Sequence, residues 1–110
     1  MTDPFVITDL PGQLDKLPFE FFREGVDIHH IKTGEPATAL LRYAPGAKVP
    51  RHRHTGLETI LVLEGQQTDE RGTIYKGDLA INPEGSIHSV RSETGCIVLI
   101  QWERPVEILE

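Results

Sequence analysis

Three histidines and one glutamate are the residues of this 110-residue chain best placed to do chemistry. They fall in two glycine-bounded blocks, Gly46-x5-His52-x-His54-x3-Glu58-x6-Gly65 and Gly77-x5-Pro83-x-Gly85-x2-His88. Imidazole nitrogen and carboxylate oxygen suit a divalent transition metal such as Zn, Fe, Mn, Ni, Co or Cu, and no thiolate stands nearby to narrow that set. Four such ligands on an octahedral ion leave two positions open for water or a ligand. An isolated His-x-His is commonly surface decoration. The five fixed positions of the first block, however, arise by chance on the order of once in 100,000 chains of this size at average residue usage.

The elements that must position these side chains are strands. Residues i and i+2 of a strand share a face, so His52 and His54 project together while Arg51 and Arg53 project to the other side. Thr55-Gly56 permits a turn, and Glu58 starts the next strand, where it can return beside the histidines. Pro83-Glu84-Gly85 is a turn that would aim His88 across the molecule. From Val26 onward, short runs rich in Val, Ile, Leu and Thr alternate with turn signals every 8–12 residues or so, the pattern of an all-β sandwich or barrel. Two runs, Thr59–Leu63 and Cys96–Ile100, are almost continuously apolar, as expected of strands buried on both faces. Residues 1–24 form an expected N-terminal arm, with 25–110 as the barrel domain. The arm's Leu17-Pro18-Phe19-Glu20-Phe21-Phe22 cluster is expected to pack on the outside of the barrel or on a neighbouring subunit.

Composition bounds the remainder. The length suits one domain, and a chain this short buries a modest share of its surface, which favours a homodimer. Lys and Arg number 11 against 17 Asp and Glu, a net charge of −6 that argues against a nucleic-acid surface. No apolar run approaches the roughly 18 residues of a membrane span, and Met1-Thr2-Asp3-Pro4 lacks the marks of a signal peptide. A single cysteine, Cys96, excludes an intrachain disulfide, and together these features point to the cytoplasm.

The two blocks resemble the two motifs of the cupin superfamily, separated here by an 11-residue stretch, 66–76. The resemblance covers roughly residues 37–103. It implies a double-stranded β-helix, a jelly-roll-type barrel, in which the equivalents of His52, His54, Glu58 and His88 bind one metal ion. The second motif usually ends in Asn, where this chain has Ser92, a position that is not a ligand in the family. Pro50 to Glu58, Val62-Leu63-Glu64-Gly65, Asp69-Glu70-Arg71-Gly72 and Tyr75-Lys76-Gly77-Asp78 more narrowly resemble the ChrR-like cupins. That group includes the C-terminal domain of an anti-sigma factor and proteins similar to acetylacetone dioxygenase. In the anti-sigma factor a separate zinc-binding helical domain holds the sigma factor. This chain shows neither its extra Cys and His ligands nor its helices, so sequestration in that manner is not expected.

Two functions follow from the resemblance. One is an enzyme that binds a small oxygenated ligand at the metal, as a dioxygenase or a metal-assisted isomerase or decarboxylase, with Glu58 available as a base if it leaves the metal. Sugar epimerases also use a single cupin domain, but the additional His and Tyr residues they need have no counterpart that can be placed here. The other is a non-catalytic metal- or ligand-sensing module acting through a partner protein. Arg42, Tyr43, Gln101 and Trp102 are candidate pocket residues, one of each adjacent pair being expected to face the barrel interior. His29 and His30 point to opposite faces and cannot chelate together. Cys96 reads as a small buried hydrophobe. Asp69-Glu70-Arg71-Gly72 reads as a hairpin turn with solvated charges.

Overall fold

Turn residues cut the chain into strands short enough to pair with their neighbours and long enough to curl. The computed structural model describes residues 3–109. After a short 3-10 turn at Leu10–Gln13 come β1 (Glu20–Arg23), β2 (Val26–Lys32), β3 (Ala37–Tyr43), β4 (Lys48–Arg53) and β5 (Glu58–Asp69). They are followed by β6 (Gly72–Tyr75), β7 (Leu79–Asn82), β8 (Ile87–Arg91), β9 (Cys96–Trp102) and β10 (Glu107–Ile108). All pairings are antiparallel, along the path β1-β2-β3-β9-β5-β8-β4-β10, with β6 and β7 attached to β5.

The long strand β5 joins the two layers. Its first part pairs with β7 and β9, and its last four residues pair with β6. Thr68 also pairs with Arg91 of β8. The change of layer occurs where the β5–β9 register shifts between Val62 and Glu64 and Gly65 adopts a φ of 77°. A residue with a side chain would be strained there. The two curled layers face each other as the jelly-roll-type barrel that the motifs imply.

Inward-facing residues of both layers fill the space between them. Val26, Ile28, Leu41, Val62, Val98 and Ile100 meet Val49 and Val90 from the opposite side. Each such side chain, when fully buried, contributes roughly 1.5–3 kcal/mol of transfer free energy. A second apolar cluster lies on the outer face of the β3–β9 layer. There Leu40 and Ile97 are covered by Leu14, with Leu10, Leu17 and Phe19 around them. This cover explains why the run at 96–100 is apolar on both faces. Phe21 and Phe22, in contrast, remain 76% and 46% exposed, so the aromatic cluster divides between covering the sheet and facing solvent. Among the described residues no helix is long and apolar enough to cross a membrane.

Candidate metal centre

The centre is assembled where β4 and β8 lie side by side. His52 and His88 are direct cross-strand partners, so their side chains emerge on the same face. A bulge makes this possible. Between the Val49–Val90 and His52–His88 pairs, β4 contains one residue more than β8. The extra residue restores the inward direction at His52 after an inward Val49. Pro50 lies in the bulge, where a residue without an N–H costs no ladder hydrogen bond. Its carbonyl accepts a 2.7 Å hydrogen bond from Nδ1 of His52.

The other two rings are held in the same manner. Nδ1 of His54 lies 3.0 Å from both the carbonyl and the hydroxyl oxygen of Ser86. The Pro83-Glu84-Gly85 turn supports that contact through backbone bonds from His54 to Ser86 and from Gly85 to His54. Nδ1 of His88 donates to Oδ2 of Asp69 at 2.9 Å. With every Nδ1 occupied by an acceptor, the Nε2 lone pairs are left for the centre. One ligand atom from each of the three rings falls within 4.8 Å of the others. Ring centroids are 4.7 Å apart for His52–His88, 4.9 Å for His54–His88 and 5.2 Å for His52–His54. All three residues are buried, as is Glu58.

Glu58 opens β5 opposite Asn82 of β7. Its Oε1 accepts from Nδ2 of Asn82 at 3.1 Å and lies 3.1 Å from Nε2 of His54. With Nδ1–H of His54 committed to Ser86, a neutral ring would present a lone pair to a carboxylate. That contact needs a cation. Burial opposes the charged ring of His54, yet the hydrogen bond and charge of Glu58 outweigh burial and hold its pKa above the ordinary value. His52 shifts the opposite way, because burial disfavours its charged form and the neighbouring imidazoles add to the effect. Nε2 of His88 is buried without any hydrogen-bond partner. A lone pair stranded at His88, a neutral ring at His52 and the contact of His54 with Glu58 together fit a divalent metal ion among the three histidines, with the Glu58 carboxylate beside them.

The hairpin between β5 and β6 has a larger part than its sequence suggests. Its charges are not simply solvated. Asp69 holds His88 and also accepts from the backbone N–H of Arg71 at 2.8 Å. Burial works against ionisation of Asp69, but the hydrogen bonds from His88 and Arg71 prevail and lower its pKa. Glu70 accepts from the hydroxyl of Ser89 at 2.7 Å and from its N–H, which lowers the Glu70 pKa and ties the hairpin to β8. The Arg71 guanidinium reaches both Asp69 Oδ2, at 3.1 Å, and Asn82 Oδ1, at 3.3 Å. It thereby touches the partners of both His88 and Glu58. Asp69, Asn82 and Ser86 escape a motif-based reading. Only the strand register reveals that Asn82 faces Glu58 and that the hairpin folds over His88.

A cavity of about 350 Å³ reaches this centre, with His52, Glu58 and His88 in its lining. Its walls include Leu41, Tyr43, Ile60, Val90, Ile100 and Trp102. Tyr43 and Trp102 therefore face inward. Arg42 and Gln101, also candidate pocket residues, lie on the outer face, because neighbouring strand residues alternate. Arg42 pairs with Asp27 at 2.9 Å and lies over the Phe19 ring, and Gln101 lies beside Thr38. Burial pushes the phenol of Tyr43 above its ordinary pKa, so it remains a hydrogen-bond donor. His29 bonds to the Pro18 carbonyl and His30 pairs with Glu20, both away from the centre. Cys96 is buried, and burial pushes its thiol up to about 11.

Comparison with known proteins shows the family and the fold. Residues 8–104 match the family model described as the ChrR Cupin-like domain. The chain is 34% identical over 107 residues to the anti-sigma-E factor ChrR of Cereibacter sphaeroides, an alignment covering 94% of this chain and 50% of that protein. It thus spans half the length of that relative. The crystal structure of Rhodobacter sphaeroides SigE in complex with the anti-sigma ChrR superposes with a TM-score of 0.74 at 33% identity, covering 81% of this chain and 51% of that one. An acetylacetone dioxygenase from Acinetobacter johnsonii superposes over 100% of this chain and 80% of its own, with a TM-score of 0.81. At 15% identity that likeness concerns the fold alone.

Proposed function

The chain belongs to the ChrR cupin-like family, and on that premise we propose that it holds one divalent transition metal ion on His52, His54, Glu58 and His88 and presents it to a small oxygenated ligand. The observation that carries this reading is the cavity that opens onto three of these four side chains. A purely structural metal site is closed by its own ligands, whereas a site that receives a molecule keeps a side open. Zn, Fe, Mn and Ni all suit the nitrogen and oxygen donors. When bound, the ion supplies Lewis acidity and open positions for ligand oxygens.

The chain's residues supply the rest. Pro50, Ser86 and Asp69 orient the three imidazoles, and Asn82 holds Glu58. Leu41, Ile60 and Ile100 exclude water from the ligand's apolar part. The protonated Tyr43 phenol offers a hydrogen bond to a ligand oxygen. A dioxygenase acting on a 1,3-dicarbonyl fits such a lining. The kinship with an anti-sigma factor favours a second reading, a metal- or ligand-sensing module that acts through a partner protein. Elemental analysis of the purified protein, coupled to O2 uptake over a panel of 1,3-dicarbonyls, thiols and catechols, separates the two. Iron with substrate-dependent uptake supports the enzyme. Tightly held zinc without turnover supports the module. Pairing of two copies belongs to the same proposal, since Leu79 and Ile81 of β7 remain 62% and 51% exposed. Light scattering at twice the chain mass is the expected result.

A further inference from the structure

We infer that Arg23 sets the specificity of this cavity and that the ligand is an amphipathic acid. Its carboxylate would be held by the Arg23 guanidinium, its apolar body would lie along the wall, and an oxygen donor would face the histidines. The inference deepens the proposed function and rests on its metal site.

The position of Arg23 follows from register. Arg23 pairs with Val26 and Val26 pairs with Tyr43, so all three share the inward face of the layer. Val26 is fully buried and Tyr43 lines the cavity. Arg23, at the end of β1, is half-buried and lines both the cavity and the adjoining surface depression that contains Gly25, Ala47 and Arg91. It therefore stands at the solvent side, with His52, Glu58 and His88 buried at the inner side. Burial raises the pKa of the Tyr43 phenol, and Arg23 is the one cation among the groups that act against that rise.

What sets Arg23 apart is its place in the cavity lining. Arg42, Arg53, Arg71 and Arg104 each pair with a carboxylate. Among the described residues Arg23 has no ion-pair partner, a state it shares with Arg51 and Arg91, which are exposed and outside the cavity lining. It is also the one Lys or Arg side chain lining the cavity, where Leu41, Ile60, Ile100 and Trp102 are its company. A guanidinium presents five N–H donors in a fixed fork that matches a carboxylate. At the solvent side of the cavity those donors face water, which a ligand carboxylate would replace with two parallel charge-assisted hydrogen bonds. A neutral diketone could satisfy the metal but would leave this fork empty.

The test uses the zinc-loaded full chain and two probes, 4,6-dioxoheptanoate and its methyl ester. They share a 1,3-dicarbonyl and differ in the terminal carboxylate. Binding is read by calorimetry and by the fluorescence of Trp102, the chain's one tryptophan, which lines the cavity. The acid is expected to bind roughly tenfold or more tightly than the ester, the size of a charge-assisted hydrogen bond. Arg23→Leu should bring the acid down to the affinity of the ester with zinc stoichiometry retained, and Arg23→Lys should recover part of the difference. Equal binding of acid and ester to the wild type, a difference that survives in Arg23→Leu, or no binding of the acid would each overturn the inference. Protein stripped of zinc by chelation separates this from the premise. If the acid binds it as tightly as the zinc form and still outbinds the ester, the metal reading fails while the role of Arg23 stands.

Discussion

At the scale of single residues, the centre depends on ring orientation as much as on ligand identity. His52→Ala or His88→Ala should lower metal content well below that of the wild type in elemental analysis, and full occupancy in both variants would remove the ligand assignment. Asp69 never needs to touch the ion to matter, because it fixes which nitrogen of His88 carries the proton. Asp69→Ala should weaken metal affinity about 10–100-fold, as measured by competition with a chromophoric chelator, while far-UV circular dichroism stays unchanged. Cys96 follows from burial alone. With its thiol pushed up to about 11, it carries almost no thiolate at pH 8, so iodoacetamide should leave the native chain unmodified. The same reagent should alkylate it fully in denaturant, where an unfolded thiol titrates near 8.5, on the order of an ordinary cysteine. Mass spectrometry reads both outcomes. The four candidate ligands are legible as a motif because their spacing is local to strands and turns. Their orienting partners are not, because Asp69 and His88 are brought together by a hairpin folding back over β8.

At the scale of elements, two of the sheet's register irregularities decide the site. The extra residue in β4 returns His52 to the inside, and the bend at Gly65 carries β5 from one layer to the other. A Cβ added at Gly65 would meet the carbonyl oxygen of Gly95 at 2.1 Å, in a backbone conformation with φ of 77°. Gly65→Ala should therefore destabilise the protein by roughly 2 kcal/mol or more, lowering Tm by about 10 °C in a thermal melt of a domain this size. The segment Leu10–Phe19 packs on the opposite face of the layer from the centre, whereas Arg23 of β1 lines the cavity. Leu14 is 4% exposed against Leu40 and Ile97, so Leu14→Ala should cost roughly 2–5 kcal/mol in a urea titration. Metal stoichiometry of the folded variant should remain that of the wild type. Alternation made strands and turns readable from the sequence. A bulge is one inserted residue and has no pattern of its own, so the inward direction of both Val49 and His52 emerges only from their partners on β8.

At the scale of the molecule, site and core are continuous: the cavity wall at Leu41, Ile60, Val90 and Ile100 is also part of the packed interior. A metal ion that binds only the folded chain must therefore stabilise the whole barrel. At a free metal concentration of 100 Kd the gain is about 2.7 kcal/mol. Chelation should lower Tm accordingly, and re-addition of metal should restore it, as followed by differential scanning calorimetry. By itself the sequence determined the class of the fold, the strand-and-turn order, the candidate residues of the site and the inward tendency of one residue in each of the pairs Arg42–Tyr43 and Gln101–Trp102. Those properties depend on period-two alternation and on short-range spacing, which a linear chain carries openly. The tertiary structure decided which member of each pair faces the cavity, what holds each imidazole and why the β9 run is apolar on both faces. It also decided where an unpaired Arg23 meets the site. These depend on strand register and on which distant segments become neighbours, and no local pattern in the chain encodes them.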